Sequence, residues 1–333
     1  MTNIAFTEKV KKAVNDFNMF GHGCAVAVAL SGGADSVSLL CALKSLEGEL
    51  GITVSACHLN HSMRGEESDA DMRFCEELCA RLGVLLFAEK IDVAQYRQKH
   101  ESGEECARRI RYGFFERTLA RLGDGARLAT AHNSNDCAET VLLNLMRGTG
   151  LKGLCGIPPV RGNIVRPLIY CTRAEVEQYL SELGEGFVTD RTNLSDDYTR
   201  NKVRHMIIPE MLKINGALFE GMTRMTSSLR EDSDYLEEQA RLALSQAEKG
   251  RGWDAAALFA LPAPIRSRAV RIILSGGGIE PSALRINTAV SLLEKRSARY
   301  NPCKDRFFTI RKGVCFVEKT EQHIRRLDKD NNC

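Results

Sequence analysis

The chain has 333 residues, 44% of them hydrophobic and 27% charged, with a net charge of +3. That composition excludes a disordered or fibrous chain, and the length predicts two globular domains. Residues 251–333 hold 16 Lys and Arg against 8 Asp and Glu, a balance of +8 that leaves −5 for residues 1–250; a basic appendage of this kind is either a nucleic-acid contact or a solvated surface.

The first twenty residues, MTNIAFTEKVKKAVNDFNMF, carry charges where a signal core would be apolar, so they read as an amphipathic helix. A cytoplasmic location and twelve reduced, mostly buried cysteines are the expectation. The longest apolar run, Cys24 to Leu30, is far short of the roughly 20 residues that span a bilayer, so no membrane helix is expected. Strand-length apolar runs recur at Ala25 to Leu30, Ile52 to Cys57, Val84 to Ile91 and Ala126 to Ala131, separated by segments of helical periodicity. This repeated βα pattern predicts a parallel sheet whose ligands sit beyond the carboxyl ends of its strands.

SGGADS follows the first strand and begins a helix, where backbone N–H groups and the helix dipole converge on an anion. Gly32 and Gly33 let the backbone approach phosphate oxygens, Ser31 and Ser36 add hydroxyl donors, and Asp35 is the residue to hold a Mg²⁺ on those oxygens. The alternative is a tight strand-to-helix turn. Neither G-x-x-x-x-G-K-[ST] nor G-x-G-x-x-G is present, which disfavours ordinary γ-phosphate transfer and dinucleotide binding.

His58 and His61 follow the second strand, with a third metal ligand lacking nearby. Arg108, Arg109 and Arg111 lie close to Glu104 and Glu105, as an exposed salt-bridged helix face or as a phosphate or RNA contact. After the fourth strand, Asp136 and Glu139 stand three apart on one helical face, a pair suited to a cationic substrate. A Gly/Pro-rich loop, RGTGLKGLCGIPPVRG, precedes the short strand IVRPLI, and Thr172 with Glu175 forms a capping box for a helix over 173–183. Residues 190–204 are polar and return toward the site or a partner. One long helix is expected over about 217–247, then helices within 261–274 and 281–295 and a hairpin turning at Lys312-Gly313. The resulting division is a catalytic domain over 1–215, a linker helix over 216–250 and a basic C-terminal domain over 251–333.

SGGADS resembles the S-G-G-x-D-S motif of the PP-loop ATP pyrophosphatases, whose chemistry is adenylation. HLNHSMRGEESDAD, EECARRIRYGFF, AHNSNDCAETVLLNLMRGTGLKGLCGIPP, VRPLI and DRTNLSDDYTRNKVRHMIIP resemble successive blocks of the tRNA(Ile)-lysidine synthetases over residues 20–212. Asn135 and Ala131 depart from that pattern, standing where aspartate and glycine are usual, and the longer members' second C-terminal domain is expected to be absent.

The resemblance implies an α/β fold, a parallel-sheet PP-loop domain of the adenine nucleotide alpha hydrolase-like type with a long linker helix and a smaller basic domain. It implies a ligase that uses ATP and Mg²⁺ to join L-lysine to the wobble cytidine of tRNA(Ile) with a CAU anticodon, without a membrane and as a homodimer. Ser31, Gly32, Gly33, Ala34, Asp35, Ser36, His58 and Asn60 are expected at ATP; Asp136, Glu139 and Arg204 at lysine; Asp35, His132 and Asp136 in catalysis. Arg109, Arg200, Arg266, Arg268 and Arg271 are expected on tRNA. A thiolase of the same superfamily and a non-catalytic adenine-nucleotide and RNA sensor are the alternatives.

Overall fold

The computed structural model describes residues 3–62, 65–99, 101–188, 198–303 and 305–319. Two compact units divide between Ser227 and Ser228. The first is built on a sheet in the order β3-β2-β1-β4-β6-β5. Its central strand β1 (Ala25–Ala29) pairs in parallel with β2 (Thr53–Asn60) on one side and β4 (Arg127–Ala129) on the other, while β3 (Leu85–Lys90) and β6 (Ile164–Val165) flank them. β1 reads as AVAVA because both faces are covered, so apolar residues run on without alternation. Only β5 (Val160–Arg161), paired antiparallel with β6, escapes the sequence reading; the segment is two residues long and set in a Gly/Pro-rich stretch.

Val26, Val28, Ala129 and Val165 pack against α1 (Asn3–Asp16), α2 (Ala34–Ser45), α3 (Glu66–Leu82) and, further on, α6 (Arg173–Leu183). The opposite face buries Ala27, Cys57 and Leu128 under Phe114 of α4 (Gly103–Leu122). The chain order reverses at β1, between β2 and β4, so the carboxyl ends of β1 and β4 form the crevice where a ligand fits. α2 leaves the first of these ends and α5 (Ser134–Met146) the second.

The capping box that starts α6 is present: Thr172 Oγ1 accepts from Glu175 N–H, and Glu175 returns to Thr172 N–H at 2.8 Å. After α6 the chain runs back to the crevice, and Val188 N–H donates to Gly32 O at 2.9 Å. The polar residues 190–197 lie outside the described residues. α7 (Tyr198–Lys202) then leads through a π-helical turn, Val203–Ile207, into α8 (Ile208–Ile214). Val203 and Ile208 share a core with Ala138, Leu142 and Leu143 of α5 and Leu218 at the start of α9 (Leu218–Gln246).

The long helix is therefore present, but it is more than a linker. Its second half supplies Ala240 and Leu244 to the core of the C-terminal unit. There α11 (Ala263–Gly276) and α12 (Ala283–Leu292), preceded by the one-and-a-half-turn α10 (Ala255–Phe259), cover an antiparallel sheet in the order β7-β8-β11-β10-β9. Its strands are β7 (Glu248–Lys249), β8 (Gly252–Asp254), β9 (Ala298–Cys303), β10 (Arg306–Arg311) and β11 (Val314–Lys319). The β10–β11 hairpin turns at Lys312 and Gly313, with φ of 52° and 78°; two positive φ values are what a two-residue hairpin turn of the favoured hand requires.

Removing the cap of α6 tests how far this helix depends on it. Thr172→Ala should lower unfolding stability by about 1 kcal/mol, read as a shift in the urea midpoint with the slope unchanged.

Candidate nucleotide and acceptor site

The SGGADS loop is braced from within. Ser36 Oγ, buried, donates to Gly33 O at 2.9 Å, accepts from Ser31 N–H at 3.1 Å and meets Ser31 Oγ at 3.1 Å. Ser36 thus shapes the cradle rather than facing a ligand. Gly32 has φ of 88°, a left-handed value that β-carbon-bearing residues rarely adopt, so its conformation is the reason for a glycine there. Val37 N–H makes the first intrahelical bond of α2, to Gly33 O, and Gly33 offers no side-chain cap. The N–H groups of Ala34 and Asp35 precede that bond, as an uncapped helix start ready for phosphate oxygens.

Asp35 is held from two sides: Oδ1 accepts from Asn133 Nδ2 at 2.9 Å and Oδ2 from Arg173 Nη1 at 2.5 Å. Asn133 is the N-cap of α5 and shares a reciprocal capping box with Asp136, at 3.1 Å each way. Asn135 Oδ1 accepts from Arg173 N–H at 3.0 Å, docking the first turn of α6 where its guanidinium meets Asp35. Burial pushes the Asp35 carboxyl up, Arg173 pulls it down and Asp136 pushes it up further; burial also pushes Asp136 up. The Asp136 carboxylate thus acts on Asp35, and hard carboxylate oxygens are the donor type that Mg²⁺ takes. Sequence reasoning missed Asn133 and Arg173; the only local sign was Asn at an N-cap position, and the partner of Arg173 lies 138 residues away.

Glu139, 1% exposed, is fully engaged. Arg200 Nε donates to Oε2 at 2.7 Å, and Arg204 donates Nε to Oε1 at 2.6 Å and Nη2 to Oε2 at 3.0 Å. Both guanidinium groups stand 3.7 Å from Asp136 Oδ1. Glu139 and Arg204 are therefore brought together as expected, but as partners of each other. Arg200 lies in the crevice at Glu139. The π-helical turn supplies Arg204, in keeping with the frequency of such turns at functional sites.

His58 follows the other edge of the crevice. Its Nδ1 meets Leu30 O at 2.9 Å, so Nδ1 carries the proton and Nε2, buried without a partner among the described residues, is an acceptor. Asn60 donates through Nδ2 to Ser68 O and Asp69 Oδ1, and its Oδ1 accepts from Ser62 N–H, so it orders the loop that follows β2. His61 is held down to about 4 by burial, with Arg111 and His58 adding to the effect. His132 Nδ1 lies 3.1 Å from Thr130 Oγ1. Burial, then Arg166 and Arg200, hold His132 to about 4, so it is a neutral imidazole at physiological pH.

The arginines expected on RNA are largely committed elsewhere. Arg109 pairs with Glu101 at 2.8 Å and donates to Tyr96 O. Arg266 donates to Phe259 O at 2.6 Å and lies over the Phe259 ring, Arg268 donates to Pro264 O at 3.0 Å, and Arg271 pairs with Glu237. Exposed cations of the C-terminal unit include Arg241, Lys249, Arg251, Lys295, Arg296, Lys312 and Lys319, while Arg299 and Arg311 are exposed but share Glu318. Nine of the described thiols are buried, with Cys24 and Cys303 half-buried; Cys75 is pushed up to about 12 and Cys79 to about 11 by burial, the reverse of an activated nucleophile.

A PP-loop domain model matches residues 2–211. Among curated proteins, the tRNA(Ile)-lysidine synthase of Caldanaerobacter subterraneus subsp. tengcongensis is 42% identical over 243 residues, covering 72% of this chain and 51% of that protein. That of Geobacillus kaustophilus is 34% identical over 291 residues, 84% of this chain and 62% of the relative, and that of Petrotoga mobilis 37% identical over 231 residues, 68% and 74%. The chain spans about half the length of several of these relatives. Among solved structures, the U34-tRNA thiolase NcsA from Methanococcus maripaludis with its 4Fe–4S cluster shares the fold, with a TM-score of 0.55 and 20% identity over 69% of this chain and 80% of that one.

The histidines give a pH dependence with a definite sign. His61 and His132 are neutral in the folded protein down to about pH 4, whereas in the unfolded chain they protonate below about pH 6.5. Their contribution to stability is present above pH 6.5 and is lost as pH falls toward 4. The raised carboxyls of Asp35 and Asp136 act oppositely, gaining stability as they protonate, so the difference between proteins isolates the histidine. Urea midpoints measured from pH 7 to pH 4 should fall less steeply for His132→Gln than for the parent chain; parallel curves would contradict the assignment.

Proposed function

Because this chain belongs to the tRNA(Ile)-lysidine synthase family of PP-loop proteins, we propose that it is an ATP-dependent ligase. It joins L-lysine to C2 of the wobble cytidine in the CAU anticodon of tRNA(Ile) and releases AMP and pyrophosphate. The observation that carries this reading is the meeting of an uncapped, serine-braced helix start with two half-buried carboxylates and a neutral histidine at the carboxyl ends of β1 and β4.

In this reading the N–H groups at the start of α2 bind the β and γ phosphates, and His58 Nε2 accepts from a donor on the nucleotide. The C2 oxygen of cytidine attacks the α-phosphorus, a P–O bond to pyrophosphate breaks, and the base becomes an adenylated electrophile. The lysine ε-amine then forms a bond to C2, the C2–O bond breaks, and AMP leaves with that oxygen. The ammonium proton must go to a base, and His132, neutral and in the crevice, is suited to accept it. Asp35 and Asp136 would hold Mg²⁺, which when bound supplies positive charge to the phosphate oxygens.

Glu139 serves the lysine indirectly. Both its oxygens are taken by Arg200 and Arg204, so it orients these two cations. Asp136 Oδ1 remains for a substrate ammonium group and Arg204 for its carboxylate. The exposed cations of the C-terminal unit, most of them within a segment of net charge +8, are suited to tRNA phosphates, which position the RNA without reading its sequence. The buried thiols disfavour a thiolase, whose sulfur chemistry needs accessible thiolates. A sensor without turnover has no use for paired carboxylates raised by burial.

Two measurements test the reading. With ATP and tRNA(Ile) but no lysine, pyrophosphate should be released in about one equivalent per enzyme, and AMP release in turnover should require lysine. Asp35→Asn, which keeps the acceptor for Asn133 while removing the charge, should abolish pyrophosphate release and leave tRNA affinity within about twofold. Lysine-independent AMP turnover, or a normal rate in the folded variant, would sink the proposal.

A further inference from the structure

Arg166 follows β6 directly. Its N–H donates to Pro159 O at 2.9 Å and its Nη1 to Pro158 O at 2.5 Å, so it folds over the β5–β6 hairpin. The residue is 6% exposed and its Nε, fully buried, has no acceptor among the described residues. Among the described residues no carboxylate forms an ion pair with it, and the groups that act on it electrostatically are Tyr112, which favours its charge, and Arg161, which opposes it. A buried cation with no counter-ion is costly, because the desolvation of the guanidinium goes uncompensated. The fold has no use for that charge, since a neutral amide would serve the Pro158 carbonyl equally well.

The position of Arg166 gives the charge a use. Thr130 N–H donates to Val165 O at 2.9 Å, so β4 and β6 end side by side, with Thr130 Oγ1 on His132. Ile164 and Leu128 belong to the core beneath α4, and Arg166, two residues beyond Ile164, continues that face of the sheet to its carboxyl end. There its charge is felt at His132. The other arginines of the crevice already have carboxylates: Arg173 has Asp35, and Arg200 and Arg204 have Glu139.

We propose that Arg166 receives a phosphate group of a bound substrate at the carboxyl ends of β4 and β6, forming an anion subsite separate from the SGGADS cradle. A guanidinium presents paired N–H donors to the oxygens of a phosphate. The proposal rests on the reading that nucleotide and RNA meet in this crevice, and the phosphate belongs either to the nucleotide or to the RNA backbone beside the target base.

Arg166→Gln removes the charge and keeps a donor for Pro158 O; Arg166→Lys keeps the charge and loses the fork. Apo melting temperature, ATP and AMP affinity by calorimetry without RNA, and tRNA affinity by anisotropy at several salt concentrations are measured for each. The Gln variant should melt no lower than the parent. A tenfold or greater loss of ATP or AMP affinity assigns the subsite to the nucleotide. A similar loss of tRNA affinity, with a log–log salt slope shallower by roughly 0.7–0.9, assigns it to the RNA. In either case the Lys variant should recover part of the loss. Unchanged affinity for all three ligands in folded Arg166→Gln overturns the proposal. Should the Gln variant not fold, the Lys variant decides alone: a severalfold loss supports the subsite and unchanged affinities overturn it. A parent chain that binds neither ATP nor tRNA refutes the functional reading instead.

Discussion

Three carboxylates brought into the crevice at the carboxyl ends of β1 and β4 set the terms for the rest of the catalytic unit. Asp35 and Asp136 lie in the first turns of α2 and α5, where the helix dipoles favour negative charge but do not replace lost water, and Glu139 lies one turn further along α5. The missing compensation arrives from later in the chain. Arg173 comes from the first turn of α6, and Arg200 and Arg204 from α7 and the π-helical turn. Each must be delivered to within hydrogen-bond distance, and so the elements that carry them are anchored. Asn135 fixes the start of α6 through the Arg173 N–H, Val188 ties the chain after α6 to Gly32, and Val203 and Ile208 bury the far side of the turn against α5.

This dependence explains what the sequence disclosed. The parallel strands, the long helix, the α6 cap and the β10–β11 hairpin were legible because their signals are local: apolar runs of strand length, helical periodicity, a Thr-x-x-Glu box and a Lys-Gly turn. The SGGADS loop was legible as an anion site for the same reason, since a helix start announces its own donors. The division of labour within the site was not. Whether a polar residue faces a ligand or a neighbour is decided by residues far away in sequence. Ser36 and Asn60 look like ligand donors and turn out to brace their own loops. Arg173 sits in a capping box that explains its helix but not its guanidinium, whose partner Asp35 lies on another strand's end.

The basic residues show the same limit with opposite outcomes. A count of charges rightly marks residues 251–333 as positive, yet it cannot say which cations reach solvent. Arg266, Arg268 and Arg271 fall on one helix and look like a phosphate-binding face. In the fold, Arg266 satisfies the Phe259 carbonyl, Arg268 the Pro264 carbonyl one turn back on its own helix, and Arg271 pairs with Glu237 of α9. Solvent-facing charge is carried by the hairpin turn, the segment after α12 and the residues between β7 and β8, among others.

Two populations of cation therefore serve different physical ends. Exposed lysines and arginines act through a field that salt screens within about 8 Å at physiological ionic strength, so they govern encounter and non-specific affinity. Arg173, Arg200 and Arg204 lie partly withdrawn from solvent and already matched to carboxylates, so added salt changes their interactions little, and they fix geometry instead. The two arginines matched to Glu139 also reach Asp136 at 3.7 Å, and Arg173 answers Asp35, so three carboxylates and three arginines form one balanced network in the crevice. Asp136 acts on Asp35 as well, which joins this network to the helix start of α2, so the two populations differ in whether a buried neighbour or the solvent answers their charge.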